Sequence, residues 1–257
     1  MSDSVHPAAS EGFGATADEY ERARPDYSTE AVDRLVQELE IGRRCTVLDL
    51  GAGTGKLTRQ LVPTGARVVA LEPVEAMRLR LSQMAPGVEI VAGTAEQTPF
   101  ADETFDAVVA GQAFHWFDGD RALPEIHRVL RTHGRLGLLW NVRDESVEWV
   151  RELSGIIDPY EGNAPRHERH AAWQGAFTRT DHFKTLHRLR FAHQQRMDPD
   201  VLVERVASMS FIAVLPPPEQ ERVLSKVRHL ANTHSDLAGH REFSLPYRTD
   251  LYWCVRS

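Results

Sequence analysis

This chain of 257 residues predicts an α/β fold built on a parallel sheet, and three observations carry that expectation. Short apolar runs alternate with amphipathic helical stretches as far as Trp140, the order that makes consecutive parallel strands joined by helices. The run Val47-Leu48-Asp49-Leu50-Gly51-Ala52-Gly53-Thr54-Gly55 reads as a buried strand that ends in three alternating glycines. A second apolar run, Arg67 to Leu71, then ends in the carboxylate Glu72, twenty-one residues after Gly51.

The elements follow in order. Ser28 offers an N-cap to a helix whose Val32, Leu35, Val36 and Leu39 share one face. After the first strand and its turn, Leu57 and Leu61 mark a helix, and Arg67 to Leu71 is the second strand. Met77, Leu81 and Met84 mark the next helix, Val88 to Val91 the third strand, and Phe105 to Ala110 the fourth. Ile126, Val129 and Leu130 are the apolar face of a helix ending near Gly134, and Leu136 to Trp140 is the fifth strand. Beyond Asn141 the pattern predicts helix around Val147 to Ile157 and a loop over Asn163 to His170. Phe183 to Phe191 reads as a sixth strand, with helices starting at Asp198-Pro199 and at Pro216-Pro217-Pro218, and Tyr247 to Val255 as a closing strand. No repeat or low-complexity linker divides the chain, so one domain is expected: 1–27 as an N-terminal covering segment, 28–142 as a cofactor-binding core and 143–257 as substrate-side insertions and closing strands.

Composition narrows the function. At 42% hydrophobic and 26% charged the chain has enough apolar residues for one large core. The net charge of -7 argues against a phosphate-tracking surface, which leaves a small molecule as the expected substrate class and no nucleic-acid partner. No run approaches the length of a membrane span and Met1 to Gly12 lacks a signal-peptide pattern, so no membrane partner and a cytoplasmic location are expected. Cys45 and Cys254 are read as reduced core thiols, and the Arg188 and Arg190 strip as a solvated strand face. The pair His167 and His170 lacks further ligands at useful spacing, so no metal site is expected. Nothing in the sequence sets an oligomeric state.

A strand, a glycine-rich turn and a helix serve three ligand classes. A triphosphate loop needs Gly-Lys-Ser/Thr, but Leu57 follows Lys56. A dinucleotide fingerprint needs a third glycine where Lys56 stands. The third class is S-adenosylmethionine, which has no pyrophosphate to seat against the helix. A carboxylate at the end of the second strand, here Glu72, suits a ribose diol.

The segment closely resembles the class I methyltransferases, in particular the type 11 group of small-molecule enzymes, from about Phe13 to Trp140 and more loosely to Val255. The resemblance rests on Asp49 to Gly55, Glu72, Gly93-Thr94-Ala95-Glu96 and Gln112-Ala113-Phe114-His115-Trp116, in that order. It implies a Rossmann-like seven-stranded sheet, mostly parallel, with an antiparallel last strand between strands five and six and helices on both faces. It places Asp49, Gly51 and Gly53 beside the methionine part of the cofactor, Glu72 on the ribose, and Thr94 and Ala95 on the adenine side. Thr94 stands where many relatives carry an acidic residue. Tyr20 and Arg24 match the family's N-terminal cover, with Arg24 facing the methionine carboxylate. Gln112 is grouped with the cofactor contacts, and Phe114 to Trp116 with the wall of the site or with the core.

Methyl transfer from a sulfonium needs alignment and exclusion of water more than acid-base groups. His115 is the expected catalytic residue, either as a base or as a hydrogen-bond donor on the acceptor side, against plain packing between Phe114 and Trp116. The function expected is an S-adenosylmethionine-dependent methyltransferase acting on a small-molecule acceptor. The alternatives are an NAD(P)-dependent oxidoreductase and a non-catalytic S-adenosylmethionine-binding protein.

Overall fold

The computed structural model describes residues 24–161 and 172–257. Tyr20, the Asn163 to His170 stretch and the pair His167 and His170 lie outside the described residues. Seven strands form one sheet: β1 (Thr46–Leu50), β2 (Arg67–Leu71), β3 (Glu89–Val91), β4 (Phe105–Gly111), β5 (Leu130–Arg143), β6 (His187–Met197) and β7 (Phe243–Val255). Their spatial order is β3-β2-β1-β4-β5-β7-β6, with β1 to β5 parallel and β7 antiparallel to both neighbours. The order reverses between β1 and β4, which opens a crevice at their carboxyl ends where open α/β sheets bind ligands.

The central strands bury both faces, so they are predominantly apolar rather than alternating. On one face Val47, Val68, Ala107, Val109 and Leu139 pack against helix α1 (Thr29–Glu38), through Ala31, Val32 and Leu35, and against α2 (Lys56–Leu61), through Leu57 and Leu61. Ala70 on this side meets Leu81 of α3 (Glu75–Met84). On the opposite face Leu48, Leu50, Val108, Ala110 and Trp140 pack against α4 (Gly119–Val129) and α6 (Ala172–Thr178). A separate apolar cluster joins α5 (Glu148–Ile157), α7 (Pro199–Ala207) and α9 (Pro217–Thr233) to Leu245 and Tyr247 of β7, beyond the carboxyl end of β5. A short α8 (Ser210–Ala213) links α7 to α9.

Most expected elements are present, and four details differ. Ser28 sits at the N-cap of α1 but its side chain makes no capping bond and is buried instead. Helix α4 stops at Val129 rather than near Gly134, because Leu130 already pairs with Phe105 of β4. Ladder pairing resumes at Arg135 opposite Ala107, so residues 131–134 form an irregularity with His133 at φ 64°. Strand β6 runs from His187 to Met197, not Phe183 to Phe191, because its extent is set by eleven cross-strand pairs with β7 while Phe183 makes only an isolated bridge to Arg256. Arg188 and Arg190 are more than a solvated strip: with Arg248 they surround Asp250, a carboxylate with no exposed surface.

Asp26 and Tyr27, at the end of the expected covering segment, are tied to the core. Tyr27 and Gln60 exchange two hydrogen bonds, at 3.1 and 2.9 Å, and the Tyr27 ring is buried over Gly111. A Cβ at Gly111 would lie 2.5 Å from the Tyr27 hydroxyl, so the end of β4 must be glycine for the chain to cross there. Among the described residues no helix is long and apolar enough to cross a membrane. Cys45 and Cys254 are both free thiols, and burial raises the pKa of the Cys254 thiol.

Candidate active site

The glycine-rich turn is built by its own backbone. As β1 ends, the Gly51 and Ala52 N–H groups both donate to the Leu71 carbonyl of β2, at 2.8 and 3.2 Å, which curls the chain toward Glu72. Gly51 has φ 64° and a Cβ there would stand 2.8 Å from Ala113 Cβ, so glycine is needed for conformation and for space. Gly53 also has a left-handed φ of 58°, but a Cβ there would meet nothing within 4 Å. Open space beside a bare backbone is what a ligand cradle requires.

Two buried carboxylates flank this turn. Glu72 accepts from the Gly53 N–H through Oε2 and from the Val74 N–H through Oε1, both at 2.9 Å. A carboxylate offers about four lone-pair directions, so two remain for further donors such as vicinal hydroxyls. Burial pushes its pKa up, opposed by the two N–H bonds and by the Arg78 charge. Asp49, only 1% exposed, accepts from the Thr58 hydroxyl through Oδ2 at 2.6 Å, while its Oδ1 is buried without a partner. Burial pushes the Asp49 carboxyl up to about 7, against the Thr58 bond and assisted by the Glu72 charge. The unpaired Oδ1 is chemically suited to an ammonium, and the open turn, orphaned acid and ribose-suited carboxylate together fit S-adenosylmethionine.

On the adenine side Thr94 bridges to Gln97 and is partly exposed, whereas Ala95 is buried. Arg24 is half-buried where the described chain begins. At the end of β4, Gln112 has φ 55°, a conformation that non-glycine residues hold only when pinned. Its N–H donates to the Leu139 carbonyl at 2.8 Å and its Nε2 to the Asn141 carbonyl at 3.1 Å. The next residues form a single 3-10 turn, Phe114–Trp116. Phe114 is fully buried against Trp173 and Phe177, so it is core. His115 accepts at Nδ1 from the Trp140 indole N–H at 3.0 Å, and its ring lies 5.2 Å from that of Trp116.

The structure thus brings Asp49, Gly51, Gly53 and Glu72 around one turn, with Gln112 and His115 following the adjacent strand at the same sheet edge. Sequence reasoning missed Thr58, Asn141 and Trp140, which hold Asp49, Gln112 and His115 respectively. Thr58 had a local signal, a hydroxyl in the first turn of the helix after the glycines. Trp140 was read only as the end of a strand, and its polar atom gave no pattern.

The chain is similar to several known proteins. A family model described as a methyltransferase domain matches residues 48–138. An uncharacterized methyltransferase of Mycobacterium tuberculosis is 42% identical over 245 residues, covering 95% of this chain and 94% of that protein. A methyltransferase-like protein of Schizosaccharomyces pombe, also uncharacterized, is 33% identical over 239 residues, with 92% of each covered. In fold, the crystal structure of the YcgJ protein from Bacillus subtilis superposes with a TM-score of 0.59 at 21% identity, covering 89% of this chain and 99% of that one. The chain belongs to the methyltransferases, with a methyltransferase domain over residues 48–138, and is an enzyme of that class.

Proposed function

We propose that the chain holds S-adenosylmethionine at the β1 turn and passes its methyl group to a small-molecule acceptor by in-line displacement. The observation that carries this reading is the pair of buried carboxylates at one open glycine turn, with Asp49 Oδ1 lacking a partner. The bound cofactor supplies a methyl already activated by the sulfonium. Glu72 holds the ribose hydroxyls, Asp49 the methionine ammonium, and Thr94 and Ala95 the adenine edge. Arg24 and Tyr20 belong to the cover in this reading. Gln112 fixes the floor at the end of β4.

His115 acts here as a donor. An indole N–H can only donate, so the imidazole nitrogen facing it at 3.0 Å must offer its lone pair. A neutral imidazole then carries its proton on Nε2 and has no second lone pair for an acceptor's proton. His115 therefore orients the nucleophile by donating from Nε2, and the acceptor reaches it with its lone pair already available.

S-adenosylhomocysteine is expected to stabilise the protein thermally and NAD to leave it unchanged, since only a ligand of the native state adds to stability. Transfer of a labelled methyl group into a cell-extract metabolite completes the test. Tight NAD binding with no response to S-adenosylhomocysteine selects an oxidoreductase, and cofactor binding without label transfer selects a non-catalytic binder.

For His115, His115→Asn should lower kcat/KM for the acceptor at least tenfold while S-adenosylhomocysteine affinity stays within about threefold, roughly 0.65 kcal/mol. In the native protein, nitrogen NMR shifts should show Nε2 protonated and Nδ1 not. An Nδ1-protonated ring, or full turnover in His115→Asn, removes the donor role.

A further inference from the structure

Arg205 is the buried cation that the packing leaves unanswered. It lies near the end of α7, only 5% exposed, inside the helical layer over the carboxyl end of β5 and the amino end of β7. Its Nε donates to the Tyr247 hydroxyl at 3.3 Å, and its Nη1 is buried with no partner. Among the described residues no carboxylate pairs with it, in contrast to Arg143, whose Nη2 lies 3.6 Å from Asp158, and to the three arginines around Asp250. A guanidinium cannot shed its proton at any working pH, and burying one without a counter-charge costs several kcal/mol. A fold holds such a group where something outside the chain supplies the anion, since conflicts of this kind gather at functional sites.

Its position indicates which ligand. Tyr247 is the cross-strand partner of Arg143 in β5 and of His193 in β6. Two residues earlier along β5 stands Asn141, on the same face of the sheet, whose carbonyl accepts from Gln112. Residues two apart on a strand are about 7 Å apart. Arg205 thus contacts the row just beyond the Gln112–Asn141 bond, over the edge of the crevice that the β1 turn opens.

We propose that Arg205 anchors an acidic group, a carboxylate or a phosphate, on the methyl acceptor. This rests on the methyltransferase reading of the crevice and adds the charge of the substrate to it. Planar, forked donors suit either group through paired N–H bonds, and the Tyr247 hydroxyl fixes the fork by accepting from Nε.

The test uses the full chain saturated with S-adenosylhomocysteine, titrated calorimetrically with malonate, with inorganic phosphate and with malonamide as the uncharged control. Malonate or phosphate should bind with a Kd in the millimolar range and malonamide should not, and whichever anion binds names the acid class. Arg205→Met, close in length but uncharged, should reduce that anion's affinity at least tenfold, keep S-adenosylhomocysteine affinity within about twofold, and leave the melting temperature of the free protein equal or higher. Arg205→Lys, which keeps the charge without the fork, should fold and lose only part of the affinity. Binding of neither anion, equal anion binding in the Met variant, or collapse of the fold in both variants overturns the proposal. Failure of S-adenosylhomocysteine itself to bind would instead overturn the reading of the cofactor site.

Discussion

S-adenosylhomocysteine should bind more tightly as pH rises from 5 to 7, by up to about tenfold per unit, and should level off above that. The cause is Asp49. Its carboxyl is held up to about 7 by burial in the free protein, against an ordinary value of 3.8, so near pH 5 the site holds a proton that an ammonium cannot share. Binding the ammonium must expel that proton below pH 7 and need not do so above it. The sign for folding is the opposite. Because the folded value is raised, this group favours the fold most below about pH 4, and that contribution is lost as pH climbs toward 7. Ligand and proton therefore compete for one oxygen, the unpartnered Oδ1. Calorimetric titration across this range checks the slope, and Asp49→Asn should flatten it. A slope that persists in Asp49→Asn assigns the proton to another group.

Glu72→Gln should weaken S-adenosylhomocysteine binding roughly tenfold to a hundredfold, a loss of about 1.4 to 2.7 kcal/mol. The amide removes the charge that strengthens the ribose bonds. It also turns one acceptor into an NH2 group, which must face the N–H of either Gly53 or Val74 where Glu72 accepts from both. The two effects separate in a cycle of ligands and variants. Adenosine should lose affinity in Glu72→Gln, whereas 2′,3′-dideoxyadenosine, which has no diol, should bind both proteins about equally. Equal losses for the two nucleosides would make Glu72 a turn-building residue only.

What could be seen in the sequence was what is local. The β1 strand, its glycines and Glu72 lie within twenty-six residues, Val47 to Glu72, and each is dictated by near neighbours: apolar burial for the strand, left-handed backbone for Gly51 and Gly53, a strand end for the acid. The order of strands and helices was legible for the same reason. The bounds of strand β6 were not, because its sequence His187 to Met197 is largely exposed and polar, and pairing with residues of β7 far along the chain decides where it starts. The partners that define side-chain chemistry were hidden likewise. Trp140 reaches His115 from twenty-five residues away and Arg205 reaches Tyr247 across forty-two, distances over which no periodicity speaks.

The seven-stranded sheet ends at β6, and a bare strand edge invites another chain to add to it. Here the outermost strand carries exposed Arg188, Arg190 and Arg196, and the buried Asp250 of the strand behind it answers Arg188 and Arg190. A second copy aligned along that edge would bring guanidinium rows together with too few acids to screen them. The cluster at Asp250 thus acts on solubility as well as on packing: it fixes the edge strand to the sheet from within while its surplus charge discourages the sheet from growing outward.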